Sequence, residues 1–215
     1  MSLDPTAAPL QIAVPSGPLP PALAAVLTRQ RAEEPKSPVR LVETTEQERL
    51  EGLEDGRYCL SLGLSLASGE QPLPQDSLAL WKDELAVAVP LLSPLLAFPE
   101  IPLKDAAKYP LILWHPECYG TVGQQIEALL ASAAPTLQVA ERVRSFELMA
   151  VVVSAGYGIG FAALSRIVAA RKLEIAMRPL AGGPHTIVAY LTQPRAPLPA
   201  PVKRLVGRFQ ALAAH

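Results

Sequence analysis

The sequence predicts an α/β protein with mainly parallel strands, laid down in two successive runs. Three observations predict it. Residues 10–64 alternate short apolar runs with amphipathic segments in the order β-α-β-α-β, the unit of an open parallel sheet. A second alternation of the same kind begins at Leu111-Ile-Leu-Trp114. Inside it lies Phe146-Glu-Leu-Met-Ala-Val-Val-Val-Ser-Ala-Gly-Tyr-Gly-Ile-Gly-Phe-Ala-Ala-Leu-Ser165, almost wholly apolar and broken by Ala155-Gly156. Its first ten residues suit a helix buried nearly all round. Gly156 supplies the left-handed C-cap, and Gly158–Ala163 is long enough for one buried strand. Helix, glycine turn and strand together make half of a parallel α/β unit.

In the first run, Leu10–Val14 reads as a central strand and Pro15–Pro20 as a loop. Pro21 suits a first helical turn, where a missing N–H costs nothing, and Leu23, Val26 and Leu27 carry the stripe of a helix running to about Glu34. Pro35-Lys-Ser-Pro38 ends it, and Val39–Glu43 is the second strand. Thr45 and Glu48 have capping-box spacing, so a helix over residues 46–56 follows, stopped by Gly56. Tyr58–Leu64 is the third strand. Residues 67–76 form a polar loop, and Leu78–Val89 is one long strand or two split near Lys82-Asp83.

After a proline-rich connection and a helical turn at Leu103–Lys108, the second run gives a strand at Leu111–Trp114 and a loop at His115–Thr121. A helix over Val122–Ser132 and a strand over Gln138–Val143 come next. The long apolar stretch follows them. Ser165–Ala170 then reads as a helical turn, Leu173–Leu180 as an edge-type strand and Thr186–Leu191 as a further strand. The chain closes on an amphipathic helix with Val202, Leu205, Val206, Phe209 and Leu212 on one face.

The bulk chemistry excludes several functions. A net charge of −1 over 215 residues, with no Lys/Arg cluster, argues against nucleic-acid binding by this piece itself. Cys59 and Cys118 belong to no CxxC pair and read as space-filling residues of a reducing cytoplasm. The N-terminus lacks a basic region and a long apolar core, so it is not a signal peptide, and residues 1–8 read as a disordered leader or a cloning remnant. No uninterrupted apolar run is long enough to span a membrane. His115, His185 and His215 are scattered without ligand spacing, so no metal or cofactor is expected. Gly156, Gly158 and Gly160 follow a helix and precede a strand, the reverse of a dinucleotide loop, so they read as close-packing glycines. No Ser-His-Asp arrangement or paired carboxylates stand in a supporting motif, and an enzyme is not expected.

Four stretches carry a resemblance to a known family. Arg49-Leu-Glu-Gly-Leu-Glu-Asp-Gly-Arg57 precedes an apolar strand, Asp83–Pro90 looks like a crossover strand, Val152–Gly160 joins an apolar helix to Ala-Gly and Gly-Ile, and an amphipathic helix closes the chain. In this order they resemble the effector-binding domain of LysR-type transcriptional regulators, over roughly Leu10–Leu212. Cys59 stands where the family often has Asp, and Ser93-Pro-Leu-Leu96 where it often has His-Pro-Leu-Ala.

The resemblance implies a periplasmic-binding-protein-like (type 2) fold: two Rossmann-like subdomains joined by two crossover strands. Subdomain I would comprise residues 9–87 and 190–215, and subdomain II residues 88–189. A small-molecule effector, such as a carboxylate, would lie in the cleft between them. DNA would be bound only through a winged helix-turn-helix domain absent from this sequence. The resemblance also implies a homodimer or tetramer formed through this domain, a cytoplasmic location and no membrane partner. A solute-binding protein of a transport system would share the fold.

The expected ligand-binding residues follow the same logic. Ser16 and Gly17 after the first strand, and Thr44 and Thr45 after the second, present hydroxyls and backbone N–H groups where an anion is favoured. Helix capping is the plain alternative for them. Arg144, Ser145 and Phe146 occupy a strand-to-helix loop of the second run, where Ser145 is equally a cap and Arg144 equally a solvated charge. Glu117–Thr121 would form the remaining wall with Tyr119 as a lid, and Trp114 reads as core.

Overall fold

The computed structural model describes residues 8–15, 19–67, 73, 74 and 76–213. In chain order the elements are β1 (Leu10–Pro15), α1 (Ala22–Glu33), β2 (Val39–Thr44), α2 (Glu46–Glu54), β3 (Leu60–Ala67) and β4 (Ser77–Pro90). A 3-10 turn over Pro94–Ala97 leads to α3 (Leu103–Ala106), β5 (Leu111–Trp114), α4 (Pro116–Ala131), β6 (Val139–Val143), α5 (Phe146–Ser154) and β7 (Ile159–Ala163). Next come α6 (Leu164–Ala169), a 3-10 turn over Arg171–Leu173, β8 (Ile175–Pro179), β9 (Thr186–Thr192) and α7 (Ala200–Ala213).

The chain divides into two compact units. The first holds the described residues up to Leu64, Leu73–Trp81 and those from Ala189 onward; the second holds Ser65–Ala67 and Lys82–Val188. Long strand β4 therefore passes from one unit to the other between Trp81 and Lys82, and β9 returns between Val188 and Ala189. These are the two crossover strands that the family resemblance implied, and β4 runs unbroken through Lys82-Asp83.

In the first unit the strand order is β2-β1-β3-β9. β1 pairs in parallel with β2 from Leu10↔Val39 to Pro15↔Thr44, and with β3 at Ile12↔Leu60 and Ala13↔Ser61. Side chains alternate across a strand. Ile12, Val14, Leu60 and Leu62 therefore turn to one face, where Leu23 and Val26 of α1 and Val202, Leu205 and Phe209 of α7 close over them. The opposite face takes Ala13, Leu53 and Tyr58, with Val42 packed against them. Arg208 of α7 is buried yet balanced, meeting Glu33 at 2.9 Å and Glu34 at 3.0 Å, and Gln30 at 2.9 Å, all on or just after α1. Its neighbour Arg204 also pairs with Glu34.

In the second unit the order is β4-β7-β5-β6, with β8 on β4 as well. β5 is parallel to β6 and β7, whereas β4 runs antiparallel to β7 and β8. The glycines of the long apolar stretch serve a turn and close packing. Gly156 adopts φ 83°, the left-handed turn that ends α5. Gly160 lies against Met149, whose sulfur would stand 2.5 Å from an added Cβ.

Two expectations about this unit need correction. α5 is not buried all round: Phe146, Met149, Ala150 and Val153 face inward, while Leu148 is 48% and Val151 56% exposed. A helix lying against a sheet hides only the stripe repeating every 3.6 residues, so apolar composition alone does not bury its far side. The loop expected at His115–Thr121 is instead the start of α4, because Pro116 fits the first turn and His115 caps it. The helix is broken only at Gly120, with φ 38° and ψ −127°.

Candidate functional site

Each unit presents a pair of neighbouring strand ends. In the first unit the register Pro15↔Thr44 makes β1 and β2 end side by side. Ser16 and Gly17, expected after β1, lie outside the described residues. Thr44 is 6% exposed, and its Oγ1 is buried without a hydrogen-bond partner among the described residues. A hydroxyl in that state carries a desolvation cost of about 1–3 kcal/mol, so its retention calls for an explanation.

Thr45 caps α2 in the way its spacing predicts. Its Oγ1 accepts from Glu48 N–H at 3.3 Å, and its own N–H donates to Glu48 Oε2 at 3.0 Å. The same contacts hold the Glu48 carboxyl below its usual pKa, the bond from the Thr45 backbone N–H contributing most. Thr45 is thus committed to the helix, and Thr44 is the group left with capacity to spare.

Sequence reading missed Arg49. It is 4% exposed, and its guanidinium donates to Ser61 Oγ at 2.7 Å and to the Tyr190 hydroxyl at 3.5 Å. Glu46 lies 3.8 Å away. The signal was available: Arg49, Gly52 and Leu53 stand at i, i+3 and i+4, so Arg49 falls on the helix face that turns inward.

In the second unit, β5 and β6 end together at Trp114↔Val143, and His115 N–H donates to Val143 O at 2.9 Å. His115 and Arg144 therefore leave adjacent strand ends. His115 Nδ1 accepts from Glu117 N–H at 3.4 Å as the cap of α4. Arg144 is not a lone solvated charge: it pairs with Glu117 at 2.8 Å and lies 3.3 Å from His115 Nε2 and 3.9 Å from Cys118 Sγ. The pairing holds Glu117 below its usual pKa and raises that of Arg144.

Ser145 caps α5, its Oγ accepting from Leu148 N–H at 3.2 Å. Phe146 is buried beneath the Arg166 guanidinium, 5.0 Å from its ring centroid. Tyr119 is not a lid. It is 7% exposed and stacked on Trp114, with centroids 3.8 Å apart and planes at 13°, and burial pushes its hydroxyl pKa up. Its partner Trp114 is core as expected, donating its indole N–H to Phe161 O at 2.7 Å.

Helix N-termini, hydroxyls and an arginine beside adjacent parallel strand ends are groups that accept an anionic or hydroxylated ligand. Among the described residues no cluster of three or more His, Cys, Asp or Glu could hold a metal, and no helix is long and apolar enough to cross a membrane.

The sequence profile of the LysR substrate binding domain matches residues 4–214. A search among curated proteins returns no match. Among solved structures, the chain is similar to the effector-binding domain of QuiR in complex with shikimate. The TM-score is 0.75 at 15% identity, covering 97% of this chain and 98% of that one. It is also similar to the effector-binding domain of BenM with its effector benzoate, with a TM-score of 0.74 at 17% identity over 96% and 92% of the two chains. Full-length CbnR complexed with its target DNA matches with a TM-score of 0.76 at 18% identity, over 96% of this chain and 71% of that one. These likenesses give the periplasmic-binding-protein-like type 2 fold, and the profile match covers nearly the whole sequence: this chain belongs to the LysR substrate-binding domain family.

Proposed function

We propose that this domain senses a small carboxylate metabolite for a LysR-type transcription regulator, binding it at strand ends that lead into helix N-termini. The observation that carries the proposal is the buried hydroxyl of Thr44, without a partner among the described residues, beside the N-terminal turn of α2. A ligand oxygen there would satisfy a group that the described residues leave unmet. Ser16, Gly17, Arg144 and Ser145 are the further candidates for contact with the ligand. Tyr119 and Phe146 would act as packed walls. The ligands of QuiR and BenM, shikimate and benzoate, both carry carboxylates, which supports this class of effector. The family match favours this reading over a transport solute-binding protein. Binding would shift the domain between two states only insofar as the ligand prefers one of them. Coupling to DNA would run through a DNA-binding domain elsewhere in the full-length regulator, assembled as a homodimer or tetramer.

Thr44→Val tests the reading because the two effects have opposite signs. Replacing an unsatisfied buried hydroxyl by a methyl of the same shape is expected to stabilise the free domain by about 1 kcal/mol. That corresponds to a rise in Tm of about 2–4 °C for a chain of this size. The same change should weaken carboxylate binding about tenfold, the share of one hydrogen bond made on binding. Differential scanning fluorimetry over a panel of monocarboxylates that includes shikimate and benzoate, followed by calorimetric titration of the best one, measures both. A wild-type domain that no carboxylate in the panel stabilises sinks the proposal, as does a Thr44→Val variant that binds as tightly as wild type.

A further inference from the structure

The face of the first unit's sheet that α2 covers is unexpectedly polar. Gly63 lies directly against the Tyr190 ring, which an added Cβ would overlap. Residues two apart share a face of a strand. Ser61 and Gly63 of β3 therefore lie on the same face as Tyr190 and Thr192 of β9. Arg49 reaches into this layer from α2 and binds both Ser61 and Tyr190. The two buried side-chain hydroxyls without partners among the described residues are Thr44, beside the cap of α2, and Thr192, two residues beyond Tyr190.

Arg49 contrasts with the unit's other buried arginine. Arg208 meets two carboxylates at 3.0 Å or less and joins α7 to α1. Arg49 has Glu46 at 3.8 Å, and its short contact is to a hydroxyl rather than a carboxylate. Its position in the helix also matters. Arg49 N–H donates to Thr45 O at 3.0 Å, so it stands one turn beyond the cap of α2. A buried cation with its closest carboxylate contact at 3.8 Å needs a role that compensates for its cost.

We propose that Arg49 is a positioning residue that couples the first turn of α2 to the crossover strand β9. Its fork fixes the Tyr190 hydroxyl, and Tyr190 stands immediately after the point where β9 enters the first unit. The Tyr190 ring is fully buried and its phenolic end lies against Gly63, so the side chain has little room to move apart from its strand. A shift of the α2 turn is thereby passed to the strand that runs on into the second unit. As regulation, this rests on the effector reading above; as a mechanical link, it does not need the effector.

Hydrogen exchange on the free domain tests the link without any ligand. Thr45→Ala removes the cap and loosens the first turn of α2 by about fivefold in its opening equilibrium. With Arg49 present, peptides of β9 should exchange faster by a similar factor, while α7, on the opposite face of the sheet, stays unchanged. In an Arg49→Met background, adding Thr45→Ala should leave β9 where Arg49→Met alone put it. Tyr190→Phe keeps the ring, removes the hydroxyl that Arg49 holds, and carries the same expectation should Arg49→Met fail to fold. The proposal is overturned if Thr45→Ala leaves β9 unchanged, if it speeds β9 and α7 together, or if it speeds β9 equally without Arg49 or the Tyr190 hydroxyl. Carboxylate titration of the same variants reports on the effector reading separately.

Discussion

Gly158→Ala is expected to destabilise the second unit by about 3 kcal/mol, the upper part of the range for forcing atoms into a packed site. An added Cβ would overlap the carbonyl oxygen and carbon of Pro110. Backbone cannot rotate away as a side-chain tip can. The same carbonyl accepts the Ile159 N–H at 2.9 Å, the first bond that β7 makes at this end. Displacing it would break that bond and loosen the parallel pairing of Leu111 with Ile159. The measurement is the urea midpoint, compared with Gly207→Ala. Gly207 lies in α7 with nothing within 4 Å of an added Cβ, so alanine there should stabilise by about 0.5–1 kcal/mol. Equal and small shifts for the two variants would show that Pro110 relaxes and that the close approach is unimportant.

These glycines show how far sequence could reach. Their order after a helix and before a strand argued against a phosphate loop, and the contacts of Gly158 with Pro110 and of Gly160 with Met149 are the close packing that reading implied, whereas Gly156 serves the turn and has no close neighbour. The capping box at Thr45–Glu48 and the buried stripe of α7 were legible because each rests on local spacing, whereas the two crossover strands came only from the family resemblance. The start of α4 was not, because Gly120 in the middle of His115–Thr121 reads as a loop while Pro116 and the His115 cap favour a helix. Tyr119 was misjudged for a different reason. Nothing in local sequence says that its ring stacks on Trp114, which is a tertiary contact across the end of β5.

The candidate site was half legible. Strand-end turns follow from topology, so Thr44, Thr45, Arg144 and Ser145 could be named in advance as neighbours of helix N-termini. Which of them retains unused hydrogen-bonding capacity could not. That depends on burial and on what the cap already consumes, and it separates Thr44 from Thr45. Arg49 was hidden by its residue type. An arginine in a charged segment reads as solvated, although its spacing with Gly52 and Leu53 turns it inward.

Phe209→Ala should be the most costly change in the first unit, at about 3–5 kcal/mol. The ring is fully buried in the cluster formed by Ile12, Val14, Leu60, Leu62 and Leu205, and it lies 6.0 Å from the Trp81 ring at a 46° tilt. Trp81 in turn donates its indole N–H to Leu212 O at 3.4 Å, so the last turn of α7 depends on the same contact. α7 enters this unit from the far end of the sequence, and the strands it covers come from the beginning. A cavity at Phe209 therefore weakens the contact that closes the longest loop in the chain. Hydrogen exchange should show protection lost in β1, β3 and α7 while β5 and β7 of the second unit retain theirs. If both units lose protection by the same factor, they unfold as one cooperative block, and the division of stability between them is wrong.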